Sequence, residues 1–247
     1  MTFTELQKIV GPQEESNWTQ HPNGGGWVQK TALVEPTALV EERAIVFGNA
    51  HVSGDAWVYG TAQVSGNAHV SGTAQVSGTA QVSGTARVSG NAQVNGTARV
   101  SGNAHVFGDA WVSGDAQVSG TARVSGGARV SGDAWVYGTA QVSGTARVSG
   151  NAHVSGDAWV YGTAQVSGNA HVFGDAWEKS PLYIIGSKYS LTNCKAGHIK
   201  IGCKCQTIEW WLQHGEKIAD EYGFSAEEKS EYRAYVELFA KLCSKIE

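Results

Sequence analysis

The chain has 247 residues, a formal net charge of −4, and only 16% charged residues. Between Gly48 and Trp177 there is no lysine and no glutamate, only six aspartates and five arginines. So dilute a charge argues against a cationic nucleic-acid track and against an anionic nucleic-acid mimic.

Met1 to Gly11 lacks both a basic start and a long apolar run, so no signal peptide is expected, and no window approaches a membrane span. All four cysteines lie near the C-terminal end. The expectation is a cytoplasmic protein with reduced thiols.

Residues 1–27 read as an N-terminal cap. Thr2-Phe3-Thr4-Glu5 opens a short helix or strand, and His21 to Gly26 is a loop leading into Trp27-Val28. From Val28 to Val172 a valine then recurs every sixth residue through 25 hexads, with an alanine four residues after each valine. From Gly48 to Gly174 a glycine also stands two residues after each valine; the first three hexads carry Lys30, Pro36 and Glu42 there instead. A strict short period decides the fold before any propensity does, and atypical terminal repeats are what a capped repeat array requires.

Read from its alanine, the unit is Ala-x-Val-x followed by Gly-Thr, Gly-Asn or Gly-Asp. The alternation is that of a strand with one buried face, and Gly with Asx bends the chain cheaply, so each hexad is one short strand and one corner. Full burial of a valine is worth about 1.5–3 kcal/mol, whereas ordering each residue's backbone costs about 1–2 kcal/mol. One coil of such a chain cannot stand alone; coils must stack, at roughly 4.8 Å per step.

Residues 28–177 resemble the hexapeptide-repeat family. That resemblance implies a mainly β fold, a left-handed parallel β-helix of about eight three-hexad coils, and a homo-oligomer, a trimer. Many family members place the glycine one residue after the aliphatic position instead of two, so a different corner is expected here.

After Trp177 the period stops, and residues 178–247 read as a small α+β C-terminal cap or oligomerisation tail. Strands are expected at Leu182–Ile185, Lys188–Thr192 and His198–Ile201, with a turn at Lys195-Ala196-Gly197. Thr207 to Tyr222 reads as a helix. Ser225 with Glu228 forms a capping box for a second helix, with apolar positions Tyr232, Tyr235, Val236, Phe239, Leu242 and Ile246. The Gly-Gly-Trp-Val entry, the low-complexity hexads, and the tail motifs Gly186–Thr192 and His198–Cys203 together resemble a group of phage and prophage proteins of unassigned role.

Several outward residues are candidates for function. His51 and His69 are 18 residues apart, as are His153 and His171, so each pair should stack on adjacent coils. No third metal ligand accompanies either pair. Residues 49–70 recur identically at 151–172, an offset of 17 hexads, so on a three-sided coil the two copies fall on different faces. Exposed ring clusters mark partner or ligand surfaces. The binding candidates are therefore Trp135, Tyr137, His153, Trp159, Tyr161, His171, Phe173 and Trp177, gathered towards the C-terminal coils. Cys194, His198, Cys203 and Cys205 have the residue types for a four-ligand zinc site, against the commoner reading of unliganded thiols.

Neither a catalytic residue nor a cofactor is expected. The favoured reading is a rigid, non-enzymatic interaction protein that binds a partner protein or sequesters a small ligand, with action against host defence as one form of it. Two alternatives stay open. Hexapeptide-repeat acyltransferases, which resemble this chain in fold, use acyl-coenzyme A and a histidine base, but usually carry a loop that interrupts the coils. A structural, polymer-forming scaffold is the other.

Overall fold

The computed structural model describes residues 1–243; Ile246, the last expected apolar position of the C-terminal helix, lies outside the described residues. Most hexads form a two-residue strand such as Gln75–Val76, followed by a glycine corner. Strands pair in parallel with those eighteen residues away, from Trp27 on Ile45 to His153 on His171. Three hexads therefore close one coil.

The coils present three flat faces. The first is a ten-stranded sheet running from an antiparallel strand, Trp18–Gln20, to His171–Phe173. The second has nine strands, Leu33–Val34 to Ala176–Trp177, and the third has eight, Leu39–Val40 to Gln165–Val166. Within one repeat the Gln75, Ser77 and Thr79 amides donate to Ala92, Val94 and Gly96 at 2.9, 2.9 and 2.8 Å. Strand and corner alike thus pay their backbone hydrogen-bonding demand to the next coil. Val76 lies directly on Val94, and the alanines and valines from Ala38 to Val172 are sealed from solvent. Alanine fits this narrow interior, where a larger side chain would overpack.

The corners explain the glycine. From Gly48 to Gly174 every corner glycine has φ between +59° and +73°, the region that penalises a Cβ. Space is equally restrictive: a Cβ on Gly84 would stand 2.9 Å from both the amide nitrogen and the carbonyl oxygen of Gly102 on the next coil. Many of the threonines that follow a corner add a rung, as when the Thr79 hydroxyl donates to the Gly96 carbonyl at 3.2 Å.

At the start of the coils, Lys30, Pro36 and Glu42 are not in that left-handed region. Their neighbours take over the corner's work. The side chains of Gln29, Glu35 and Glu41 on the first coil accept from the amides of Gly48, Gly54 and Gly60 on the next coil at 2.8, 2.7 and 3.3 Å. Helix α1 (Phe3–Val10), with a Thr2–Glu5 capping box, covers this end through Leu6, Trp18, Trp27 and Ile45.

The other end departs from the period. Asp175, at φ +57°, follows Gly174, and the last turn is one residue short, so Trp159 pairs with Ala176 and Val160 with Trp177. In and out are exchanged by a one-residue slip. Trp177 was expected outward; it is buried instead, closing the valine column with its indole N–H on the Gly174 carbonyl at 3.1 Å, while Ala176 faces out. Ser180 and Tyr183 complete the closure by accepting from the amides of Gln165 and Asn169.

Beyond it, four antiparallel strands (Tyr183–Ile185, Ser190–Lys195, His198–Ile201, Lys204–Thr207) form a sheet backed by α2 (Ile208–Glu221) and α3 (Ala226–Cys243). Leu191, Ile199, Trp211, Tyr232 and Phe239 make its core. The Ser225–Glu228 capping box forms as expected; the strand Lys204–Thr207 was not anticipated. No described helix is long and apolar enough to cross a membrane.

A matched pair of substitutions separates the corner from its neighbour. Gly84→Ala should destabilise the coils by about 2 kcal/mol or more. Gly127 lacks positive φ, and a Cβ there meets only ordinary contacts at 3.7 Å and beyond. Gly127→Ala should therefore shift stability by less than about 1 kcal/mol, towards greater stability. Urea denaturation of both variants measures the difference.

Candidate functional site

The eighteen-residue repeat lines up outward side chains into columns. On the second face the column runs His51, His69, Arg87, His105, Arg123, Gln141, Trp159. On the third it includes Trp111 and Arg129, whose guanidinium sits 5.4 Å over the indole. On the first it ends Trp135, His153, His171, where the cap sheet packs against the coils.

That last column is a continuous strip of rings. Trp135 lies 5.3 Å from His153, and His153 stacks on His171 at 4.4 Å and 18°. Tyr137 meets Trp135 and His153 edge-on at 6.5 and 6.3 Å. Trp135 and Tyr137 are well exposed, at 44% and 38%, whereas His153, His171 and Phe173 are half-buried. Around the corner, on the second face, Trp159 (46% exposed) and Tyr161 lie 4.8 Å apart, with the Trp159 indole donating to Ser143. The fold thus brings Trp135, Tyr137, His153, His171 and Phe173 onto one face, places Trp159 and Tyr161 on the next, and withdraws Trp177 into the core. The duplicated segments do fall on different faces, His51 on the second and His153 on the first.

His171 is a poor proton carrier at neutral pH. Burial lowers the His171 pKa to about 4, reinforced by Lys200 of the cap sheet and by His153. Burial and Lys200 also lower His153. Each influence disfavours a second positive charge in the seam.

The cysteines divide. Cys194 and Cys205 place their sulfurs 2.8 Å apart, and burial and the neighbouring Cys205 push the Cys194 thiol up. Cys203 is exposed at a turn, and His198 holds the Ala196 carbonyl through Nδ1 at 2.7 Å. Among the described residues no three His, Cys, Asp or Glu side chains converge as a metal-holding set. The four sequence candidates for zinc are therefore not assembled.

A second feature went unseen in the sequence. Between α2, α3 and the Ile201–Lys204 turn lies a cavity of about 530 Å³, walled by Trp211, Ile218, Tyr222, Phe224 and Val236 among others. It falls in the usual size range of small-molecule sites. Its only sequence signal is Gly215 inside an otherwise helical pattern, a residue that weakens a helix by about 1 kcal/mol relative to alanine.

His171 should leave a signature in the pH dependence of stability. Its folded-state pKa lies below the unfolded value of 6.5, so between pH 6.5 and about 4 the unfolded chain binds the extra proton. The stability this group contributes is complete above pH 6.5, falls as pH drops towards 4, and levels off below. Thermal melts from pH 7.5 to 4 should show a larger fall in Tm for the native sequence than for His171→Gln.

Five segments, residues 62–78, 98–114, 116–132, 146–162 and 164–179, match the family model described as YdcK Beta solenoid repeat. Each match is close to one coil in length, and together they cover well under half of the chain. Searches of curated proteins and of solved structures each return no match. The chain is thus a repeat β-helix protein whose coils are similar to the YdcK β-solenoid repeat.

Proposed function

We propose that the chain is a non-enzymatic interaction protein, a rigid rod that works as a homotrimer and presents a binding surface at its capped end. The observation that carries this reading is the strip of rings from Trp135 through His153 to His171, flanked by Tyr137 and, on the next face, by Trp159 and Tyr161. Clustered aromatic side chains with polar edges are what energetically dominant interface residues look like. They stand on a sheet whose backbone is held coil to coil, so little conformational entropy is lost when a partner docks.

The coils also favour binding over acyl transfer. Pairing runs unbroken at eighteen residues from Trp27 to Phe173, without an inserted loop to wall off a substrate. Among the described residues no carboxylate is hydrogen-bonded to His153 or His171, as an orienting partner of a general base would be. In keeping with the resemblance of the whole layout to phage proteins, the bound species in this reading is a host protein or a host small molecule, held in the cytoplasm and so kept from its normal use.

Native mass spectrometry of the purified chain is the test. The reading predicts an assembly of three 26.1 kDa chains carrying a stoichiometric small molecule, or taking up one host protein at fixed ratio. Trp135→Ala combined with Trp159→Ala should weaken that binding at least about tenfold while leaving the coils folded. A bare monomer at every concentration, an open-ended series of assemblies, or release of free thiol from an acyl-coenzyme A thioester would each overturn it.

A further inference from the structure

The cap cavity does not depend on the ring strip, and its own chemistry points to a class of ligand. Its walls are aromatic and aliphatic: Trp211 and Ile218 from α2, Val236 from α3, Tyr222 and Phe224 from the link between them, and Ile201 from the sheet. Leu212 and Tyr222 are each 47% exposed, so apolar surface at the cavity stays in contact with water.

The charged residues lining it are three cations, Lys204, Lys229 and Arg233, and one anion, Glu216. Two of the cations are already engaged, Lys229 with Asp220 and Arg233 with Glu237 at 3.2 Å. Lys204 differs: among the described residues no carboxylate lies within ion-pair distance of its ammonium, which sits 5.8 Å from the Tyr222 ring centre.

Gly215 adds an independent observation. It lies inside α2, where glycine is disfavoured, and it lines the cavity. Packing does not require it: a Cβ there would find only Trp211 Cε3 within 4 Å, at 3.8 Å, an ordinary contact. The room it leaves belongs to the cavity. Ala219, one helical turn further on, lines the same wall with another small side chain.

We propose that this cavity is a binding site for a small soluble amphiphilic anion, an aromatic or aliphatic body carrying one carboxylate or sulfonate, with Lys204 pairing the anionic head. The apolar walls bury the body, and Gly215 and Ala219 provide its depth. A neutral molecule of the same shape gains the walls but not the ion pair, so charge is where the site discriminates.

The experiment is a fluorescence titration of the full chain with anilinonaphthalene sulfonate, an aromatic monoanion, followed by displacement with free decanoate or with the neutral alcohol decanol. The expected result is saturable binding at one site per chain, displaced by decanoate at concentrations about tenfold lower than by decanol. Lys204→Gln should remove that preference and leave the decanol value unchanged. Gly215→Leu should abolish binding by filling the site. Gly215→Ala, which also removes a helix-weakening glycine, should narrow it with Tm held or raised. Unsaturable dye uptake, equal displacement by acid and alcohol, binding indifferent to Lys204→Gln and to both Gly215 variants, or displacement by phosphatidylglycerol vesicles but not by free decanoate would overturn the proposal. None of these readings depends on oligomeric state or on Trp135, so the outcome is independent of the ring-strip reading.

Discussion

The structure depends on one close approach, that of a corner glycine to the glycine of the next coil. At Gly84 the backbone of Gly102 occupies the place where a Cβ would begin, and the same geometry recurs through most of the corners. That contact sets the stacking distance at the corners, just as the strand hydrogen bonds set it on the faces. Because both are backbone-to-backbone, the variable side chains are released from structural duty. They may be Gln, Arg, His or Trp without altering the coil, and so the outward columns can accumulate rings at one end.

The same logic makes the two ends the places where the repeat has to change. The first coil lacks corner glycines, and Gln29, Glu35 and Glu41 reach forward with side-chain oxygens to accept from the Gly48, Gly54 and Gly60 amides of the second coil. The last coil has an open valine column, and a one-residue slip at Asp175 turns Trp177 inward to cover it. Asp175 also accepts from the Ala196 amide at 2.8 Å, tying the cap sheet to the last coil. The seam thus formed half-buries His171 and brings Lys200 close enough to disfavour its protonation. What ends the solenoid also builds the surroundings of the ring strip.

Much of this was legible in the residues. The valine and alanine period names the buried positions, the glycine names the corners, and the eighteen-residue separation of His153 and His171 anticipates their stacking. These features are local and repeated, so each is stated many times. Trp177 was misread because a single φ of +57° at an aspartate breaks the period without changing the spelling of Asp-Ala-Trp. The Lys204–Thr207 strand is half-buried throughout and alternates no apolar face. The cavity was invisible for a related reason: its walls come from two helices and a turn with no common period, and only the glycine in α2 hints at space. Cys203 shares a short Cys-x-Cys spacing with Cys205, yet it is exposed in a turn, whereas Cys205 meets Cys194.

The most direct test is cross-linking by a short bismaleimide between cysteines introduced eighteen residues apart. Gln75 and Gln93 are directly paired on the third face, whereas Gln81 and Gln93 lie on different faces, and Arg87 lets trypsin cut between the members of either pair. If three hexads close each coil, Gln75→Cys with Gln93→Cys yields a joined tryptic pair in high yield and Gln81→Cys with Gln93→Cys does not. Efficient linkage of the twelve-residue pair, or failure of the eighteen-residue pair, would contradict the coil on which the ring strip, the seam and the capped ends all rest.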